Sequence, residues 1–264
     1  MSDNKYHLQH LARALQVLFV FSAGRSEWSL EDLASELKLN KTSLLRIVRT
    51  LENERFLLRR GQGYRLGPRV LDLANVYLST LTVNRVAQPY MEKLAKVCQQ
   101  TVSLATLEGT EVVYIAIEQA QSEVGIQSEI GGRHPAHATA LGKVMLADLS
   151  DAEVLERYAG VELKRLTHRT LNEVGKLVDR LHEVRRLGYA LDDEERGIGI
   201  RCIAAPLYGQ KGEVVAGLSL AGPIFHMTED VIPAYLKALL EATEGISHEL
   251  GYGGVAEAEL VLSS

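Results

Sequence analysis

The stretch "NKTSLLRIVRTLE", residues 40–52, constrains the fold of this chain more than any other. Leu44, Ile47, Val48 and Leu51 fall at i, i+3, i+4 and i+7, the spacing that gathers side chains on one side of an α-helix and buries them. Asn40, just before the run, is a residue type that caps helix starts by accepting a backbone N–H. The opposite face is left to Lys41, Thr42, Ser43, Arg46 and Arg49: short and polar at the start, cationic beyond. A face of that kind on its own is most often simply solvated.

The flanking sequence narrows the choice. Upstream, "YHLQHLARALQVLFVFSAG" repeats Leu8, Leu11, Leu15, Leu18 and Phe19 at helical spacing and stops at Gly24. Ser29 then heads "LEDLASELK", with Asp32 in a capping-box position and Leu30, Leu33, Ala34 and Leu37 on one side. Two helices separated by a break of three residues, the second opening on Ser/Thr and Arg, have the form of a helix-turn-helix that enters a DNA major groove. Downstream, "FLLRRGQGYRLG" reads as two short strands about a Gly-Gln-Gly turn, with Arg59, Arg60 and Arg65 around it. A basic hairpin in that place is a wing. Helix face and wing together make Lys41, Thr42, Ser43, Arg46, Arg49, Arg59, Arg60 and Arg65 the candidate contacts to double-stranded DNA. "GQGYRLG" and "GIGIRC" hold glycines but lack the spacing and the strand-turn-helix context of a dinucleotide site.

Charge separates the two ends. Residues 1–69 hold 12 Lys and Arg against 7 Asp and Glu, whereas the rest holds 17 against 27. One end suits a polyanion and the other does something else. At 264 residues two domains are expected: a DNA-binding domain over 1–68, a helical linker over 69–84 and a second domain over 85–253, followed by a tail at 254–264. The second domain reads as strands adjacent in sequence ("VSLATL", "VVYIAIEQ", "EVGIQSEI", then "YALD", "IRCIAAPLY" and "VVAGLSLAG") with helices between and a last helix over 229–250, which is an α+β fold with a largely antiparallel sheet. No apolar run is long enough to span a membrane, and the first ten residues are polar, so the reading is cytoplasmic. Cys98 and Cys202 form neither a CxxC nor a disulfide framework and are taken as free thiols.

Several ordered motifs together resemble the IclR family of bacterial transcriptional regulators over nearly the whole chain: "RALQVL", "NKTSLLRIVRTLE" and "YRLGPRVLDLA" in the first half, then "HATALGKVMLA", "RRLGYALDDEE", "GIRCIAAPL" and "GLSLAGP". The resemblance implies a winged helix-turn-helix, a dimer that often assembles into a tetramer, a roughly palindromic operator, and a GAF-like C-terminal domain that binds a small metabolite. Ala140, Leu141, Asp192, Cys202, Ser219 and Ala221 match the places where the family contacts its effector. Physical chemistry adds Thr139, which with Ala140 and Leu141 opens a helix whose first N–H groups are free to face a carboxylate. Ala221 stands where a second serine is frequent, and Leu141 is larger than the usual residue. One hydroxyl is lost and an apolar wall gained, which favours an organic acid with an apolar or aromatic body over a very small keto acid. Asp192 facing the acid calls for a hydroxyl at the other end, since two bare carboxylates repel.

Each assignment has a plainer alternative. Cys202 is either a ligand contact or a small core residue. Asp193 and Glu194 read as surface charge, and His137 as a cap for the helix that follows. An enzyme domain fused to the helix-turn-helix is the rival from another class, but no HExxH, GxSxG or GxxxxGK[ST] occurs, and no His/Cys group has zinc spacing. The expectation is therefore no cofactor, no metal and no catalytic residue. An architectural DNA-binding protein without an effector is the other alternative.

Overall fold

The computed structural model describes residues 8–23, 25–80, 82–119 and 129–253. The chain divides into two compact units, Met1–Thr80 and Leu81–Ser264.

The first unit opens with α1, Gln9–Phe19, whose last turn tightens into a 3-10 segment at Val20–Ala23. The α-helix thus ends before the expected stop; Gly24 lies outside the described residues. After β1, Trp28–Ser29, come α2, Leu30–Glu36, and α3, Lys41–Asn53. Both helices are capped by the residues expected: Ser29 Oγ accepts from Asp32 N at 3.1 Å and Asn40 Oδ1 from Ser43 N at 2.8 Å. The turn between them is a Schellman closure, in which Lys38 N donates to Ser35 O, Leu39 N donates to Ala34 O, and Lys38 takes a φ of 52°. No glycine marks this turn, so the sequence shows only a break. The same closure ends α3, with Arg55 at a φ of 61° and Phe56 N donating to Leu51 O. The chain then turns into β2, Leu57–Arg60, and β3, Gly63–Leu66, paired antiparallel from Leu57 with Leu66 to Arg60 with Gly63. Gly61, at a φ of 56°, takes the left-handed conformation that this two-residue turn needs. With β1 on the outer side of β3 the wing is a three-stranded sheet. Val17, Phe21, Trp28, Leu33, Leu44, Val48, Leu51, Leu57 and Tyr64 form the core beneath it. The unit ends in α4, Arg69–Thr80.

The second unit begins with α5, Thr82–Cys98, which carries Pro89 inside it. Among the described residues the sheet has six antiparallel strands in the order β6-β5-β4-β9-β8-β7: β4 is Thr101–Glu108, β5 Glu111–Glu118, β6 Arg133–Pro135, β7 Ala190–Asp193, β8 Ile200–Tyr208 and β9 Val214–Pro223. Of the expected strand "EVGIQSEI", residues 123–128 lie outside the described residues; Glu129 and Ile130 lead into a turn at Gly131. The tail at 254–264 is likewise outside them. Between β6 and β7 lie a 3-10 turn at Ala136–Ala138, then α6, Ala140–Leu146, α7, Asp151–Arg157, and α8, Val174–Leu187. The last helix, α9, runs Ile232–Glu249 and starts three residues later than expected, because Pro233 takes the first turn, where a missing N–H costs nothing.

α6 packs on the sheet and shares one core with α7 and α8 that includes Ala105, Ala136, Leu141, Val144, Leu177, Leu181, Ala204 and Ala221. α5 and α9 pack against each other and against the sheet. Gly142 permits the close approach of α6 to the preceding turn: a Cβ there would lie 2.1 Å from Ala136 O. Cys98 and Cys202 are both buried and free. No helix among the described residues is long and apolar enough to cross a membrane.

Candidate functional site

In the first unit the candidate DNA contacts separate by position. Thr42, Arg46 and Arg49 are exposed on α3, and Arg59, Arg60 and Arg65 are exposed on the wing. Among the described residues none of these five arginines is in an ion pair. Lys41 differs, because its Nζ pairs with Glu31 of α2. Ser43 also differs: it is half-buried and lines a groove against α1 with His10, Ala14, Arg46, Ile47 and Thr50. The five α3 residues expected on one face therefore differ in exposure and partners, since successive helix positions lie about 100° apart.

In the second unit, strand register assembles the other site. Asp192 on β7 sits opposite Cys202 on β8, and Cys202 opposite Ala221 on β9, so the three form a row across the sheet. Ser219, two positions along β9 and on the same face, sits opposite Ser103 on β4. The start of α6 lies over this row. Thr139, Ala140, Leu141, Asp192, Cys202, Ser219 and Ala221 all line one cavity. Three further lining residues were not among the candidates: Ser103, Tyr114 and Arg196. The free space at the centre is about 10 Å³, room for about one water molecule. A bound organic acid would require these side chains to move apart.

The polar groups of the cavity differ in what they already hold. Thr139 Oγ caps α6 by accepting from Gly142 N at 3.0 Å, and Thr139 N donates to Ala136 O at 3.4 Å, which corrects the expectation of a free amide there. The cap is thus Thr139 and not His137, whose buried ring meets Lys164 O at 3.2 Å and packs edge-on against Tyr158. Ser219 Oγ has one long contact, 3.5 Å to Ser103 O. Asp192 Oδ1 accepts from Glu195 N at 2.8 Å and Arg196 N at 3.2 Å, whereas the buried Oδ2 has no partner among the described residues. Burial drives the Asp192 carboxyl up to about 6, partly offset by the Lys143 charge. Burial also pushes the Cys202 thiol far above its ordinary range, so it stays a neutral S–H. Asp193 and Glu194 are not simple surface charge. Asp193 pairs with Arg169 and Arg201, and Glu194 accepts from Gly199 N at 2.7 Å. Behind the cavity Lys143 is wholly buried, with Nζ donating to Leu191 O at 2.7 Å and pairing with Glu195.

Comparison with known proteins bears on both units. A family model described as "IclR helix-turn-helix domain" matches residues 10–61, and one described as "Bacterial transcriptional regulator IclR C-terminal" matches residues 75–248. The chain belongs to the IclR family. It is similar to the HTH-type transcriptional regulator XynR of Escherichia coli (strain K12), 30% identical over 247 residues that cover 93% of this chain and 98% of XynR. It is 32% identical over 228 residues to the regulator KdgR of the same organism, covering 86% of this chain and 87% of KdgR. A crystal structure of an IclR homolog complexed with 4-hydroxybenzoate, from Microbacterium hydrocarbonoxydans, matches with a TM-score of 0.82 at 26% identity, covering 92% of this chain and 99% of that one. The protein is a DNA-binding, ligand-responsive transcriptional regulator.

In this IclR-family regulator the state of Asp192 leads to a measurable expectation. Its folded pKa, about 6, lies above the ordinary carboxylate value, so its contribution to stability is present below about pH 4 and is lost as pH rises through about 6. Asp192→Asn keeps an oxygen for the two N–H groups and removes the buried charge. At pH 7.5 the effector-free variant is expected to be more stable than the parent by about 1 to 2 kcal/mol in urea unfolding, with the difference closing near pH 4. Equal stability at pH 7.5 would show that Oδ2 finds a donor in solution.

Proposed function

We propose that this protein controls a catabolic operon in response to a small organic acid that carries a hydroxyl group and an apolar or aromatic body. In this reading residues 1–68 hold operator DNA, 69–84 connect, and 85–253 sense the acid, all in the cytoplasm. The observation that carries it is Asp192 Oδ2, an acceptor buried without a partner among the described residues, in a cavity whose apolar wall includes Leu141, Cys202 and Ala221. A buried carboxylate oxygen lacking a donor is costly, and a ligand hydroxyl supplies one. The relative that binds 4-hydroxybenzoate takes a ligand of this chemical type. We also propose that the protein works as a homodimer, or a pair of dimers, on a roughly palindromic operator. Leu8, Leu11, Leu15 and Phe19 make an exposed apolar stripe along α1, the kind of surface that a second copy covers symmetrically.

The test is a thermal-shift screen of hydroxylated aromatic and aliphatic acids, 4-hydroxybenzoate among them, followed by operator titration with each hit. The effector is expected to raise Tm by mass action, about 2.7 kcal/mol of stabilisation at 100 times its Kd, and to change operator affinity. If no acid moves either quantity, the effector reading is wrong. For the DNA face, Arg46→Ala is expected to weaken operator binding about tenfold with the fold intact by circular dichroism. An unchanged gel shift would remove Arg46 from the interface.

A further inference from the structure

Arg196 leaves the turn after β7 and lines the cavity together with Asp192, Tyr114 and Ser219. It is half-buried, and among the described residues no carboxylate pairs with it, although acids precede it in sequence: Asp193 is held by Arg169 and Arg201, Glu194 by Arg169, and Glu195 by Lys143. The guanidinium is held instead by His134 of β6, whose Nε2 is 2.9 Å from an Arg196 terminal nitrogen. A guanidinium has only donors, so that Nε2 accepts and His134 carries its proton on Nδ1. Burial, then the Arg196 charge, brings the imidazole down to about 4, which keeps it a neutral acceptor at pH 7, and the Tyr114 ring packs against it with centroids 5.3 Å apart. One donor of five is thereby engaged in aiming the group. A half-buried cation with a neutral partner lacks the anion that would offset its desolvation.

We propose that Arg196, positioned by His134, is the carboxylate receptor of this cavity, so that the acid binds with its carboxylate on the guanidinium and its hydroxyl on Asp192 Oδ2. The proposal rests on the effector reading above and reverses the orientation in which the start of α6 takes the acid. The strength of the donors favours it: Ala140 N and Leu141 N, in the first turn of α6, are neutral donors, whereas the Arg196 fork offers charged donors of which, among the described residues, His134 takes one. Charge favours it as well. Among the described residues Asp192 Oδ2 and the Arg196 guanidinium are not paired with each other, so acceptor and cation are both open to a ligand. A hydroxy acid bridges them without bringing two carboxylates together, and the bidentate geometry of guanidinium with carboxylate selects an acid over its amide.

The experiment measures binding by isothermal titration on the full chain, using 3-hydroxybenzoate against 3-hydroxybenzamide and 3-hydroxybutyrate against 3-hydroxybutyramide. In the parent the better acid is expected to bind on the order of 10- to 100-fold more tightly than its amide. Arg196→Gln should bring the acid down to the level of the amide and leave the amide within about threefold. Arg196→Lys, which keeps the charge but not the fork, should retain a reduced preference and serves if the glutamine variant does not fold. His134→Leu should weaken the acid several-fold and not the amide, and His134→Gln, whose side-chain oxygen accepts the same N–H, should restore most of the loss. A parent-like acid-to-amide ratio in Arg196→Gln, with binding of both abolished in Asp192→Asn, would overturn the assignment of Arg196 and leave the effector reading standing. Failure of both acids to bind the parent would overturn the two together.

Discussion

Lys143→Met is expected to destabilise the protein by about 3 to 5 kcal/mol in urea unfolding at pH 7.5. Lys143 has no solvent exposure, and its ammonium is neutralised by Glu195 while donating to Leu191 O at 2.7 Å. Removing it strands a buried carboxylate whose Oε2 already lacks a partner among the described residues. It also removes the positive charge that restrains the rise of the Asp192 pKa. Breaking a buried pair from one side costs far more than replacing both members, because the surviving ion has neither water nor counter-charge. Lys143→Met/Glu195→Leu should therefore recover most of the loss. If the single variant costs less than about 1 kcal/mol, water reaches Glu195 in solution and the pair is not a buried one. The pair also ties α6 to the turn after β7, which follows Asp192 and carries Arg196, so the double variant, though stable, should bind an effector acid more weakly than the parent.

Operator affinity is expected to fall on the order of a hundredfold between 50 and 200 mM salt. If four of Arg46, Arg49, Arg59, Arg60 and Arg65 meet phosphates, counterion release gives a slope of log K against log salt of about −3.6. These guanidinium groups are exposed and in no ion pair among the described residues, so the DNA would not have to displace a carboxylate to reach them. Lys41 must give up Glu31, but an exposed pair of that kind is worth at most about 1 kcal/mol. Arg59→Ala/Arg60→Ala should flatten the slope by about 2 and leave the preferred sequence unchanged, since a wing on the backbone positions without reading bases. A slope near zero, or a changed sequence preference in the wing variant, would contradict this division of roles.

The features that residues decide among near neighbours were legible in the sequence. Apolar spacing placed α2, α3 and the wing, and Ser29 and Asn40 cap the helices they precede. β8 occupies Ile200–Tyr208, the bounds that its composition indicated. These depend on contacts within a few positions, where periodicity and capping chemistry act directly. The family motifs pointed to Asp192, Cys202, Ser219 and Ala221, and antiparallel register is what brings residues of β7, β8 and β9 onto one face of the sheet. The tertiary structure alone decided the rest. "DDEER" looks like a solvated turn, yet its five charges have separate fates: Asp192 carries an orphaned oxygen, Asp193 and Glu194 are drawn to Arg169, Glu195 is buried on Lys143, and Arg196 is aimed by His134. A charged side chain carries no local mark of its burial, because solvation depends on which distant strand or helix covers it. His134 lies 62 positions from Arg196 and Lys143 lies 52 from Glu195, separations across which no helical or strand period extends.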